Sequence, residues 1–215
     1  ETEFTRYDVI SWGSTNVVRR DYAIPDGYWF GSQPRILVDH RGAQAQIMIP
    51  KIEAAIKSYP YPHTYHAWPG PNSNTFIAHI GREVPDLQLD LPSNAIGKDY
   101  RGITNPIGLP PSGRGVQVSL LGLLGVTLGV EEGIEVIVLG LTLGIDALGR
   151  QHLCGGLQQA GTGLAMVLHR RVAGIDHGGL EAAQLALGDY VLEAVFQDLV
   201  GLGVHGAEGA TGLHM

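Results

Sequence analysis

The sequence predicts an α+β fold in which a small antiparallel sheet packs on a central helix and a helical tail follows. Three patterns predict this fold: strand-like alternation in the first forty residues, an amphipathic run that begins at Ser73, and Gly-punctuated β-branched runs between residues 115 and 146. Apolar residues make up 44% of the 215 residues and charged residues 16%, which is typical of a folded chain that can bury one substantial core.

Short strands are predicted near the N-terminus. Residues 7–12 alternate, a turn follows at Gly13-Ser14, and residues 17–19 can form a returning strand. Residues 25–27 read Pro-Asp-Gly and predict another turn, and residues 36–38 predict a further short strand.

Two helical pieces are predicted next, over residues 42–48 and 51–59. We expect Pro50 to separate them, because proline is favoured in the first turn of a helix. In the second piece Ile52, Ala55 and Ile56 make a narrow apolar stripe that faces the core.

The central helix is predicted to begin at Ser73 and to end near Val84. Asn72 and Ser73 are both good N-caps, and Pro85 cannot continue a helix. The apolar residues at helical spacing are Phe76, Ile77 and Ile80. Ser73 therefore falls in the first turn, where free N–H groups and the helix dipole favour negative charge.

Residues 86–113 contain several prolines and no clear period, which predicts a long irregular segment. Residues 115–146 predict an antiparallel meander with a turn at Glu131-Glu132-Gly133. A competing interpretation of this Gly-rich stretch is a membrane-active segment.

The composition changes near residue 149, which divides the chain into an α+β domain over residues 1–148 and an extension over residues 149–215. Helical stripes are expected over residues 157–170 and 180–201. The extension is thus a helical hairpin, or else sequence that is not native to the domain.

Charge, cysteine content and the length of the apolar stretches argue against a nucleic-acid partner, a disulfide or Cys-rich metal site, and a membrane-spanning helix. The net charge of −7 argues against nucleic acid, which needs clustered Lys and Arg. The single cysteine, Cys154, excludes an intrachain disulfide and any Cys-rich metal site. The most apolar stretch, residues 116–130, is interrupted by glycines and is too short to span a membrane.

Several long motifs carry a family resemblance. They are Pro25 to Gly31 (PDGYWFG), Ile49 to Glu53 (IPKIE), Tyr59 to Pro62 (YPYP), Trp68 to Phe76 (WPGPNSNTF), Ala95 to Tyr100 (AIGKDY) and Pro111 to Gln117 (PSGRGVQ). With these motifs the chain resembles, over roughly residues 1–146, a bacterial family of uncharacterised proteins known only by a domain-of-unknown-function number. The resemblance implies a location at the bacterial envelope or its periplasmic face.

Members of that family begin with a hydrophobic leader and a His-Thr-Trp strand upstream of the point that corresponds to Glu1. We therefore expect a truncated or processed N-terminus. Membrane association would then depend only on an N-terminal segment that this chain lacks.

The Asn72-Ser73-Asn74-Thr75-Phe76 segment is similar to the Asn-Cys-Asn-x-Phe element of the permuted papain-like PPPDE peptidases. In those peptidases the Cys opens a helix and an upstream strand supplies the catalytic His. The resemblance implies a papain-like plan, with Ser73 at the nucleophile position.

A serine hydroxyl needs a base to become a nucleophile. His63 and His66 lie in the loop before Ser73 and could fold back to it, whereas His79 lies more than one helical turn away and cannot reach it directly. The alternative is that Ser73 caps the helix and the histidines are surface or packing residues. The substrate-binding candidates are Trp68, Asn72, Asn74 and Thr75.

No residue is assigned as a metal ligand, because His63-x-x-His66 matches no closed zinc pattern. Glu131, Glu132 and Glu135, or Asp86 and Asp90, could ligate a hard divalent cation such as calcium, although carboxylates at turns are usually solvated. Lys98-Asp99 is predicted to be a surface ion pair or a turn.

The first functional hypothesis is a hydrolase that acts on an ester, lactone or amide bond of a small-molecule or peptide substrate. In it Ser73 attacks, and N–H groups near Asn74 and Thr75 form an oxyanion hole. The second is a non-catalytic envelope-associated binding or structural domain. The third is a metal-dependent hydrolase.

Overall fold

The computed structural model describes residues 2–11, 15–24, 35–145, 162–171 and 189–198. In this part of the chain two helices and two five-stranded sheets form an α+β fold, which confirms the predicted class. The predicted turns at residues 13–14 and 25–27 lie outside the described residues.

The first sheet has the strand order β2-β1-β9-β10-β3, and every pairing in it is antiparallel. Its strands are β1 (Thr2–Val9), β2 (Val18–Arg20), β3 (Arg35–Arg41), β9 (Thr162–Arg171) and β10 (Asp189–Asp198). The strands predicted near residues 7–12, 17–19 and 36–38 correspond to β1, β2 and β3.

The second sheet has the order β4-β5-β6-β7-β8 and is an antiparallel meander. Its strands are β4 (Ile107–Gly108), β5 (Gly115–Leu120), β6 (Leu124–Gly129), β7 (Gly133–Val138) and β8 (Leu141–Ile145). The meander and its turn at Glu131-Glu132 are therefore confirmed.

The expected helices of the tail are wrong where the structure describes them, because β9 and β10 occupy parts of those stretches. The two strands pair with each other over their full length and are flanked by β1 and β3. Short apolar runs fit both periods, and the hydrogen bonds offered by neighbouring strands decide between them. The rest of the tail lies outside the described residues, and the domain division at residue 148 stays a prediction.

Helix α1 (Gly42–Lys57) is continuous, so the expected break at Pro50 is wrong. The buried residues of α1 lie on one face on both sides of the proline: Ala45, Met48, Ile52 and Ala55. Packing of this stripe against the core holds the helix together despite the hydrogen bond that Pro50 cannot donate.

Helix α2 (Ser73–Glu83) has the predicted bounds and is the most enclosed element of the described fold. Phe76, Ile77 and Ile80 are fully buried, and they pack with α1 and with Leu87 and Leu89 of the irregular segment that follows. This core packs against one side of α2. The loop over residues 95–101 is hydrogen-bonded to the first turn of α2, and the functional candidates lie at this junction.

Candidate functional site

The first turn of α2 is held by a capping box. The side chain of Asn72 accepts a hydrogen bond from the backbone N–H of Thr75 at 3.1 Å, and the Thr75 hydroxyl lies 3.0 Å from the Asn72 backbone N–H, which donates to it. Asn72 is therefore the N-cap and Ser73 is the first helical residue, as predicted for the start of the helix, so the alternative that Ser73 itself is the cap is wrong.

The same side chains fasten α2 to the loop at Ile96 and Gly97. Asn72 Nδ2 donates to the Ile96 carbonyl at 2.9 Å, Asn74 Nδ2 donates to it at 2.8 Å, and the Thr75 hydroxyl donates to the Gly97 carbonyl at 2.8 Å. Gly97 has a φ of +92°, and a Cβ there would lie 2.5 Å from Asn72 Oδ1. Three of the four predicted substrate-binding residues thus hold the backbone together.

Trp68, the fourth of them, is half exposed and donates its indole N–H to the Leu139 carbonyl at 3.1 Å. It joins the loop before α2 to the turn between β7 and β8. Its exposed face leaves surface for a ligand, which is not so for the buried Asn72, Asn74 and Thr75.

Ser73 is only 6% exposed, and no histidine in the described part of the chain forms a hydrogen bond with its side chain. His63 Nδ1 lies 3.1 Å from the Thr15 carbonyl, and the His66 backbone N–H donates to the Pro71 carbonyl at 2.8 Å. Among the described residues the His63 ring therefore has another partner, and neither of these two predicted bases is hydrogen-bonded to Ser73.

His79 instead lies beside Ser58, a residue that the sequence did not single out. Its Nε2 is 2.9 Å from the Ala55 carbonyl and 3.2 Å from the Ser58 hydroxyl. A carbonyl can only accept, so Nε2 carries the proton and cannot take one from Ser58. The pair therefore caps the C-terminal end of α1, and burial lowers the His79 pKa, which keeps the ring neutral.

A cavity of about 350 Å³ opens beside α2. Its walls include three tyrosines that meet edge to face, with ring centroids 5.7 Å apart for Tyr59 and Tyr61 and 5.5 Å apart for Tyr61 and Tyr100. The Tyr59 hydroxyl is buried and has no hydrogen-bond partner among the described residues, and burial raises its pKa.

Two arginines also line this cavity, and both are held by neutral oxygen atoms. Arg82 donates to the carbonyls of Leu109 and Lys98 and to the side-chain oxygen of Gln117, at 2.8–3.1 Å. Arg101 donates to three backbone carbonyls, those of Asn105, Ile107 and Leu109, at 3.1–3.3 Å.

Neither guanidinium forms an ion pair with a carboxylate in the described part of the chain. Burial, together with the charge of Arg101, lowers the Arg82 pKa to about 10, and burial lowers that of Arg101. Each guanidinium has five N–H groups, and described residues accept from three on each, which leaves two on each without a partner in this part of the chain.

A buried polar network lies on the other side of this loop, under the meander. Lys98 Nζ is 2.6 Å from Glu135 and 3.4 Å from Asp99, and all three side chains are buried. Lys98-Asp99 therefore lies in a turn and forms an ion pair, as predicted, but the predicted surface location of the pair is wrong. Asp99 also accepts from Gln117 at 2.6 Å and from Thr142 at 2.7 Å, which satisfies both of its oxygens.

The carboxylates at the β6–β7 turn are buried too. Glu132 accepts from the backbone N–H and the hydroxyl of Ser112, and Glu131 pairs with Arg114 at 2.8 Å. The described residues contain no group of three or more His, Cys, Asp or Glu side chains arranged to hold a metal ion, and Asp86 forms an exposed pair with Lys51. Glu131 and Glu132 therefore each have a protein partner, and Glu131 Oε2 is buried without a hydrogen bond among the described residues.

No helix among the described residues has the length and apolar character needed to cross a membrane.

The fold and the site define an α+β domain with a buried polar network and a cationic, tyrosine-lined cavity. A family model described as "Protein of unknown function (DUF3750)" matches residues 1–100. The match confirms, over that part of the chain, the predicted resemblance to an uncharacterised domain-of-unknown-function family. No curated protein and no solved structure matches the chain.

Sequence reasoning missed the residues that make the cavity. Arg82 and Arg101 look like ordinary surface cations in the sequence, and nothing in their spacing shows that they meet. The one available signal was the concentration of aromatic residues in the first third of the chain, which includes Tyr59 and Tyr61. Tyr100, from outside that region, completes the cluster.

Proposed function

We propose that this domain binds a small organic anion in the cavity beside α2. The observation that carries the proposal is the pair Arg82 and Arg101, two cations that line one cavity and have no carboxylate partner among the described residues. A guanidinium with free N–H groups is suited to a carboxylate or phosphate, because it can donate two parallel hydrogen bonds to it.

The tyrosines supply the rest of the binding surface. Tyr61 and Tyr100 offer ring faces and edges that favour an apolar or flat body attached to the anion, and phenol hydroxyls that can donate to it. The volume of about 350 Å³ lies at the lower end of the range for small-molecule sites, which favours a compact ligand. This proposal makes the domain a binding module rather than an enzyme.

The test is titration calorimetry of the full chain against inorganic phosphate and a panel of aromatic and aliphatic carboxylates and phosphate monoesters. Arg101→Gln should weaken binding by about 10- to 100-fold, because a charge-assisted hydrogen bond is worth roughly 1.5–3 kcal/mol. Arg41→Gln is the matched control, since it removes the same charge from an exposed side chain that pairs with Asp39 on β3.

Binding that is equally tight in wild type and Arg101→Gln would overturn the proposal, as would no saturable binding to any member of the panel. Circular dichroism of the variant checks that its fold is intact. If phosphate alone binds as well as the organic anions, the tyrosines make no contribution and the ligand is a simple oxyanion.

The second proposal is a hydrolase that cleaves an acyl bond of a small-molecule or peptide substrate with Ser73 as nucleophile. It is supported by the position of Ser73 in the first turn of α2, with a side chain that makes no hydrogen bond to another described residue. The imidazole of His66 is exposed and likewise has no such partner, so His66 is the base that this proposal requires. The loop that carries it would have to move.

Ser73→Ala tests that proposal with a panel of activated esters, lactones and peptide amides, each assayed with and without a chelator. We expect a loss of at least about 1,000-fold in rate if Ser73 forms an acyl intermediate, because removing a nucleophile leaves only binding effects. Equal rates in both proteins, or no activity at all, would leave Ser73 as a helix residue. Loss of activity with chelator would instead favour the metal-dependent hydrolase.

A further inference from the structure

The meander formed by β5 to β8 has an inverted pleat. Side chains that point into the protein are mostly polar and buried: Gln117, Ser119, Thr127, Glu135 and Thr142. Those that point outward are all aliphatic, and each is 44–70% exposed. A sheet with one covered face normally turns its apolar side chains inward, so the outward face is unusual for a surface that meets water.

The inward polar side chains form hydrogen bonds and an ion pair with Lys98 and Asp99. Gln117 and Thr142 donate to the Asp99 carboxylate, Ser119 donates to the Asp99 carbonyl at 2.6 Å, and Glu135 pairs with Lys98. These contacts fix which side of each strand is buried. The aliphatic side chains then have no position except the outer face.

Strand pairing arranges the outer side chains as a regular grid, which we call the aliphatic face. Its three rows are Val116, Leu128, Ile134 and Ile145; Val118, Val126, Val136 and Leu143; and Leu120, Leu124, Val138 and Leu141. At roughly half exposure these side chains present on the order of 1,000 Å² of apolar surface, more than the ~300–600 Å² of a typical monomer's largest patch. It is close to the ~800 Å² that each partner contributes to a standard protein interface.

We infer that the aliphatic face binds the same face of a second copy of this chain. The area supports this occupant, because the face is large enough for a stable interface. Its chemistry is also self-complementary, since no charged side chain belongs to the grid and none would be buried unpaired when two copies meet. Two such sheets can pack about 10 Å apart with interdigitating side chains.

A lipid surface fits the aliphatic face less well. Residues 115–145 contain no Lys or Arg, and their charged residues are Glu131, Glu132 and Glu135. Peripheral binding to a bilayer usually joins apolar contact with basic residues that attract anionic headgroups. The net charge of −7 adds repulsion from such a surface.

Sedimentation velocity of the full chain, without detergent, tests the inference. We expect the wild-type protein to sediment as a dimer, and Val136→Lys at the centre of the grid to raise the dissociation constant at least about 100-fold, because each copy then buries an unpaired charge. A single chain should tolerate this change, since Val136 is 44% exposed. Val118→Lys, in the same row, is the second variant in case the first misfolds.

Ile47→Lys is the matched control, because Ile47 is an exposed aliphatic residue of α1 outside the aliphatic face, and this variant should remain dimeric. A monomeric wild-type protein would overturn the inference. So would a dimer that Val136→Lys and Val118→Lys leave intact. Flotation of a monomeric wild-type protein with phosphatidylcholine vesicles, abolished by Val136→Lys, would replace the second copy with a bilayer as the occupant.

Discussion

Lys98 and Glu135 are 37 residues apart in the sequence, yet Lys98 Nζ lies 2.6 Å from Glu135 Oε2 in the buried network. Removing Lys98 would leave the Glu135 and Asp99 carboxylates buried without their cation, which is far worse than losing a surface pair. Asp99 shares the same lysine, so one cation faces two carboxylates. The network therefore has an excess of negative charge, and this excess affects the pKa of Glu135.

Burial, followed by the charge of Asp99, raises the Glu135 pKa to about 7 although Lys98 acts in the opposite direction. The folded protein thus binds this proton more tightly than the unfolded chain, whose glutamates titrate near 4.5. The resulting stability is fully present below pH 4.5 and is lost as the pH rises through 7. We therefore expect the stability of the wild type, relative to Glu135→Gln, to fall between pH 5 and pH 8.

Urea denaturation of both proteins across that range measures the difference. Glu53→Gln, at an exposed position of α1, is the matched control, because it makes the same substitution outside the buried network. His79 has the opposite effect, because its lowered pKa makes stability fall as the pH decreases. Wild type and Glu135→Gln both contain His79, so this effect cancels in the difference between their stabilities at each pH. A relative stability that is constant or rises with pH would contradict the expected direction.

At the scale of the element, α2 depends on Asn72 more than on any other polar residue of its first turn. The side chain caps the helix and also satisfies the carbonyls of Ala67 and Ile96. Asn72→Ala should lower the free energy of unfolding by about 2–4 kcal/mol, from the lost cap and the carbonyls left unsatisfied.

Chemical denaturation checks this expectation, with Ser73→Ala as the matched control one position along. Because Ser73 does not cap the helix, its substitution should change the free energy of unfolding by less than about 0.5 kcal/mol. A larger effect of Ser73→Ala than of Asn72→Ala would show that the capping assignment is reversed.

Elements whose causes are local could be predicted from the sequence. The start of α2 follows from Asn72 and its end from Pro85, and the meander follows from strict alternation between glycine turns. The continuity of α1 through Pro50 could not be predicted, because it depends on the core against which that helix packs. The same holds for β9 and β10, whose partners are distant strands.

The candidate site shows the same limit more strongly. Asn72, Asn74 and Thr75 of the motif at residues 68–76 were predicted to bind substrate, but their side chains hydrogen-bond to backbone atoms of residues 96 and 97. Arg82, Arg101 and the three tyrosines meet only because α2 and the loop after it pack together. Such convergence leaves no spacing signal in the sequence.

At the scale of the whole molecule, both sheets depend on contacts between distant parts of the chain. In the first sheet β1 and β3 are separated by β9 and β10, which come at least 120 residues later in the sequence than β3. In the second, α2 and the loop at Lys98 reach the meander through Arg82, Asp99 and their partners. Folding that depends on such distant pairings is slow, because the chain loses conformational entropy in closing a long loop before the stabilising contacts form.

Because of the inverted pleat, the hydrophobic effect favours a strand register of the meander that differs from the native one. A shift of one residue in any strand would turn its aliphatic side chains inward and its polar ones outward, which gives that strand the arrangement of an ordinary surface sheet. Hydrophobicity alone would prefer that arrangement, so it cannot select the native register. Asp99 selects it for β5 and β8, since only the native alignment presents Gln117 and Thr142 to its carboxylate. Lys98 does the same for β7 through Glu135, so two adjacent buried charges align three of the strands.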